Sequence, residues 1–301
     1  TSTLDTRIGV KHACLSQGSL TLTKGTTMTT LQQLQNLDLG FVTTGLLVLA
    51  VLAMVVMDAV IGRRDHRALV EGVRDAATPA AAEAHRRGMY RSWTRSGWIL
   101  GIAVAVAGIA LVGPAAMGLR APDFSTFTPD DSSSSLAGMV VGAVVGVGIL
   151  AVAMAIASRR STLPVMFGAK ALAPMLPTTT AGRRSWAGLS LMAGVTEEIT
   201  YRALPLLAIT AVLPQANRST VLVIAAVIFG LAHSYQGIGG VLGTGLAGFA
   251  FASLYLATGS LIPGMILHVL IDLRALVVKF PASAATTPQA SASASGVPAA
   301  A

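Results

Sequence analysis

Beyond Asp131 the sequence holds only three acids and two histidines: Glu197, Glu198, Asp272, His233 and His268. All five fall inside long apolar runs, and none falls in a connecting stretch. Charge is costly in an apolar phase, so ionisable residues gathered there are functional candidates by default. The types are those that activate water. A carboxylate withdrawn from solvent holds a proton more tightly and becomes a usable base near neutrality, and imidazoles can hold the same water or donate to an oxyanion.

Spacing sorts the roles. Glu197 and Glu198 are adjacent and point about 100° apart on a helix. Arg202 lies four residues beyond Glu198, the separation of a helical ion pair, which leaves Glu197 the freer carboxylate. His233 follows Phe229 by four residues. His268 and Asp272 are also four apart and share a face. Pro205 cannot donate to the carbonyl of Tyr201, so a bend is expected beside the charged cluster. Two histidines with a carboxylate could also hold a divalent metal such as zinc, with Glu197, His233 and His268 as candidate ligands. The HExxH pattern is absent, and a metal-free glutamate mechanism needs the same residues. Both remain open on the sequence.

These residues must be carried by helices in lipid. Of the 301 residues 53% are hydrophobic and 11% charged, against about 25% charged in an ordinary soluble domain. The mean hydropathy is +0.69. A hydrocarbon core of about 30 Å needs about 20 helical residues. The candidate spans are 40–62, 97–119, 136–158, 186–213, 219–236, 239–258 and 261–279, an all-α polytopic bundle of about seven spans. Residues 161–176, short and carrying Lys170 and two prolines, read as an interfacial or re-entrant piece. At 1.5 Å per residue, Glu198 and His268 come to nearly the same height, roughly 18 Å from the inner side, and His233 lies nearer the cytoplasm.

The net charge of +8 is not a nucleic-acid footprint. Eight arginines lie between Arg63 and Arg95, in what reads as a loop between two spans, where the positive-inside bias places them. Seven spans then put the N-terminus outside and the C-terminus in the cytoplasm of a multi-pass cell-membrane protein, with Asp123, Asp130 and Asp131 outside. The expected partners are the lipid bilayer and a peptide or protein substrate. Residues 1–39 read as a polar, disordered segment, of which 1–27 have the look of a leader or start-site artefact. Residues 40–160 read as N-terminal membrane helices with the basic loop, 161–280 as the catalytic core, and 281–301 as a disordered Ala/Ser/Pro tail. Gly138, Gly142 and Gly146, like Gly239 and Gly243, have the spacing of close helix packing. Cys14 is the only cysteine, which rules out an internal disulfide.

The three clusters resemble the motifs of one family. EEITYR (197–202) is similar to EExxxR, FGLAH (229–233) to FxxxH, and HVLID (268–272) to HxxxN/D of the CPBP family. That family joins type II CAAX prenyl endopeptidases to bacteriocin-processing and immunity proteins. The resemblance covers roughly 186–275, including TGSLIPGMILH (258–268). It implies an intramembrane endopeptidase in which Glu197 activates water, His233 holds it, and His268 donates to the oxyanion. Arg202 would be the structural partner of Glu198. Prenyl proteases have Asn at the last position, and here Asp272 is expected to orient His268 or, protonated, to donate. The family's label includes "metalloprotease", which leaves the metal open. Two other classes use the same residues: an idle immunity or scaffold protein, and an ion-coupled transporter. A transporter would favour inverted repeats, and the sequence has no visible repeat.

Overall fold

The computed structural model describes residues 28–124 and 169–276. Among these residues all regular structure is helical. The predicted span at 136–158, with Gly138, Gly142 and Gly146, lies outside the described residues, as do residues 1–27 and the tail at 281–301.

Among the described residues nine α-helices run in order. They are α1 (Thr30–Gln35), α2 (Gly40–Arg74), α3 (Pro79–Ala116), α4 (Ala169–Leu172), α5 (Thr180–Glu198), α6 (Leu204–Val212), α7 (Arg218–Ala232), α8 (Gly237–Thr258) and α9 (Ile262–Leu273). The described parts of the predicted spans 40–62, 97–119, 186–213, 219–236, 239–258 and 261–279 are largely helical. Three helical segments, Gly40–Arg74, Pro79–Ala116 and Ser234–Thr258, are long and apolar enough to cross a membrane. Their outward faces carry large apolar side chains such as Phe41, Leu46, Ile99, Val106, Leu242 and Leu246, as a lipid-facing surface requires. Among the described residues the protein is all-α, with helices suited by length and composition to a membrane.

Two expectations are corrected. Residues 30–35, read as part of a disordered segment, form a helix started by a capping box. The Thr29 hydroxyl accepts from the Gln32 amide at 3.3 Å, and the Gln32 side chain accepts from the Thr29 amide at 2.9 Å. Leu34 is buried beneath it. The arginine-rich stretch is not a loop either. Helix α2 runs unbroken to Arg74, and α3 starts at Pro79. The stretch from Gly62 to Arg74 contains no proline, and its Arg, Leu, Ala and Glu are good helix formers. Only the tetrad Asp75, Ala76, Ala77, Thr78 interrupts, with Thr78 capping α3 through a 3.1 Å bond from the Ala81 amide. At 35 residues, α2 is roughly 52 Å long. The far end of α3 breaks at Gly113, whose φ of +80° lies in the left-handed region just before Pro114.

The end of the 161–176 segment docks on this hairpin. Glu83 on α3, only 4% exposed, accepts from the Thr178 amide at 3.1 Å, the Thr178 hydroxyl at 2.6 Å and the Thr179 hydroxyl at 3.1 Å. Arg86 donates to the Pro174 carbonyl at 2.9 Å, and the Tyr90 hydroxyl donates to the Met175 carbonyl. Thr179 in turn caps α5 through the Gly182 amide at 3.0 Å. The start of the helix that carries the glutamate pair is thus tied to α3.

Tight packing fixes α5 between α3 and α9. A methyl group on Gly101 would collide with Thr196, and one on Gly194 would lie 2.8 Å from the Val269 backbone nitrogen. The α7–α8 pair closes in the same way, with Gly230 against the Val241 carbonyl. Small residues let helix backbones approach where lipid offers no hydrophobic drive to do so.

Candidate active site

Helix α5 ends in a π turn, Ile199–Ala203, immediately after the glutamate pair and just before Pro205 on α6. The missing donor of Pro205 explains its place. The Tyr201 carbonyl cannot receive a bond from residue 205, and it accepts instead from Nη1 of Arg202 at 2.9 Å. The helix meets the proline with this π turn, a feature frequent at functional sites.

Arg202 is fully buried. Its Nε stands 3.3 Å from Oε2 of Glu198, the ion pair the spacing implied. The guanidinium lies over the Phe229 ring, 4.0 Å from its centroid, with Phe251 at 5.3 Å on another side. Aromatic faces offer a desolvated cation the negative end of their quadrupole. Phe229, the first residue of its motif, therefore covers this charge as well as filling space.

Glu198 has a second partner. Its Oε1 receives Nδ1–H of His268 at 2.9 Å, since a carboxylate at that distance can only accept. The His268 ring also stacks on Phe251 at 5.2 Å and 19°. Orientation of His268 therefore falls to Glu198 and not to Asp272. The Asp272 carboxylate stands 4.0 Å from Nε2, the other nitrogen, outside hydrogen-bonding range. One turn on α9 brings Asp272 beside the imidazole edge, but the remote Glu198 already occupies Nδ1.

His233 caps the C-terminus of α7, and its Nδ1 donates to the Phe229 carbonyl at 3.0 Å. A carbonyl only accepts, so the neutral ring carries its proton on Nδ1 and leaves a lone pair on Nε2. That Nε2 faces Glu197 Oε2 at 3.7 Å, and Nε2 of His268 faces the same oxygen at 3.9 Å. Oε2 of Glu197 is buried and has no hydrogen-bond partner. One free carboxylate oxygen and two imidazole nitrogens thus converge from α5, α7 and α9.

The same groups do not make a metal cage. Among the described residues no three His, Cys, Asp or Glu are arranged to hold an ion. Glu198, which could complete a donor set, is engaged by Arg202 and His268.

Sequence reasoning missed Asp58 on α2, whose carboxylate accepts the Tyr201 hydroxyl. The signal was available: Asp58 is an acid within the first apolar run, and the rule applied after Asp131 applies there too. It also missed Tyr235, whose ring stands 6.0 Å from that of His233 and packs edge-on to Trp93 at 5.7 Å.

Residues 183–274 match the family model of the type II CAAX prenyl endopeptidases, Rce1-like. No curated protein and no solved structure matches the chain. The matched segment runs through α5, the π turn and α6 to α9, and so contains Glu197, Glu198, Arg202, His233, His268 and Asp272. The helical core that brings these side chains together is the part of the chain similar to that family model.

Proposed function

We propose that this protein is an intramembrane endopeptidase that hydrolyses a peptide bond of a membrane-associated or lipidated peptide with water activated by Glu197. The observation that carries this reading is the unbonded, buried Oε2 of Glu197, facing the Nε2 atoms of His233 and His268 at 3.7 and 3.9 Å. Such gaps are too wide for direct hydrogen bonds and suit groups that share a water molecule.

The steps follow from the proton inventory. Water gives one hydrogen bond to Glu197 and one to the lone pair on His233 Nε2, and its oxygen is directed at the scissile carbonyl. As the C–O bond forms, Glu197 takes the proton and the carbonyl oxygen becomes an oxyanion. His268, with Nδ1–H held by the Glu198 carboxylate, is supported as an imidazolium whose Nε2–H donates to that oxyanion. Asp272 faces the same nitrogen and, in its acid form, adds a second donor. The C–N bond then breaks, and Glu197 returns its proton to the leaving amine. Every step is met by this chain's own side chains, and none is routed through a metal ion.

The arginine-rich hairpin of α2 and α3 belongs on the cytoplasmic side by the positive-inside bias, with the N-terminus outside and the C-terminus inside. Purified protein in liposomes, given a fluorogenic farnesylated peptide ending in a CAAX sequence, tests the reading. Glu197→Gln should lower kcat by about a thousandfold and His233→Ala by about a hundredfold or more, the range of positioned acid–base groups. A chelator should leave the rate unchanged. Cleavage that survives Glu197→Gln would point instead to a contaminating protease or an idle scaffold.

A further inference from the structure

Helix α2 lies outside the matched segment 183–274, yet it reaches the site at two places. Asp58 accepts the hydroxyl of Tyr201, a buried residue in the middle of the π turn. One turn further along, Arg63 donates to the Ser234 hydroxyl at 3.1 Å, next to His233, and the Tyr235 ring rests on Gly62. One helix thus grips both the turn that follows Glu197 and the turn that follows His233.

The contact at Asp58 is the more telling. A carboxylate in an apolar helix is expensive, and an isosteric apolar pair in place of a hydrogen bond can be nearly neutral for stability. Packing alone therefore does not account for an acid here. A π turn inserts an extra residue into the α-helical ladder and recurs at functional sites, where a side-chain anchor from another helix would fix its geometry. Tyr201 has one in Asp58, and its ring also packs against Phe229 at 5.6 Å. Phe229 in turn meets His233 at 4.5 Å and His268 at 6.3 Å. The Asp58 charge is also close enough to act on Glu197 and His233.

We propose that Asp58 is a positioning residue of the hydrolytic site, holding the Tyr201 hydroxyl so that the π turn presents Glu197 to the two imidazoles. It touches no reacting atom and acts through Tyr201. The inference rests on the hydrolytic reading above and adds to the site a residue from a helix beyond the matched segment.

The test uses the full chain in liposomes and the same farnesylated fluorogenic peptide, with wild type and Glu197→Gln as brackets. Tyr201→Phe removes only the hydroxyl, and Asp58→Asn removes the charge at constant size. Each should lower kcat by about tenfold to a hundredfold with KM nearly unchanged and the protein still folded at the assay temperature, as for residues that orient a reacting group. The double variant should be no slower than the slower single, because both changes break one link. Wild-type kcat in Tyr201→Phe, a loss confined to KM, or multiplicative losses in the double variant overturn the inference. If Asp58→Asn does not fold, Tyr201→Phe decides alone. A wild type no faster than Glu197→Gln overturns the hydrolytic reading and this inference with it.

Discussion

Glu198 is the most heavily used side chain of the cluster: one oxygen faces Arg202 and the other holds His268. Its neutral amide analogue should therefore fail in two distinct ways. Glu198→Gln leaves a fully buried guanidinium without its anion, and breaking a buried pair from one side costs about 3–5 kcal/mol. The same change removes the acceptor that supports His268 as a donor. Pairing Glu198→Gln with Arg202→Met removes both charges, and part of the stability lost in the single variant should return, less what the Arg202 bond to the Tyr201 carbonyl contributes. Activity should not, because His268 still lacks its partner. Thermal melting in detergent and peptide cleavage, measured on the single and double variants, separate the two roles. The Glu198–Arg202 pair was legible from the sequence because it lies within one helical turn. The Glu198–His268 bond was not, since it joins residues 70 positions apart and local periodicity carries no information about it. Asp272 was assigned the orienting role on the same local logic, and a tertiary contact took its place.

At the scale of the helices, glycines decide how closely the segments carrying the candidate site approach. Gly194 faces backbone: an added methyl would sit 2.8 Å from the Val269 nitrogen and 3.1 Å from the Met265 carbonyl oxygen. Neither neighbour can swing aside, so α9 must move off α5 and carry His268 with it. Gly194→Ala should cost about 1–3 kcal/mol as overpacking and lower cleavage. Gly188, on the same helix, has nothing within 4 Å of an added methyl, so Gly188→Ala should be neutral or stabilising by up to about 1 kcal/mol. Unfolding of the two variants in parallel measures the contrast. The apolar stretches on which the described helices lie were visible in hydropathy, as was the proline beside the glutamates. That the helix would meet this proline with a π turn was not visible, because it depends on the Arg202 side chain serving the carbonyl that Pro205 leaves without a donor. Nor did composition show that the basic stretch would stay helical, because charge pattern alone reads the same for a loop and for a solvated helix.

For the molecule as a whole, the knot at Glu83 joins the segment that matches the family model to the N-terminal hairpin. Burial pushes the Glu83 carboxyl up, but the hydroxyls of Thr178 and Thr179, the Thr178 amide and the nearby Arg86 outweigh it and hold it below its ordinary value of 4.5. A carboxyl depressed by folding contributes stability that is complete above its unfolded value and is lost as pH falls through the folded one. The protein should therefore lose stability on acidification below about pH 4.5, the ordinary glutamate value. Glu83→Gln should lower stability near neutrality by about 1–3 kcal/mol and flatten that acid limb. Melting midpoints recorded against pH for both proteins check the sign.

The hairpin of α2 and α3 has a practical corollary. Two long helices share one short turn at Asp75–Thr78, and Asp75 and Thr78 at its two ends are exposed. A turn that joins two long helices is a natural point of attachment for a rigid marker. Splicing a rigid helical fiducial in phase at this turn would continue the existing axes and report directly on the pose of the membrane-embedded part.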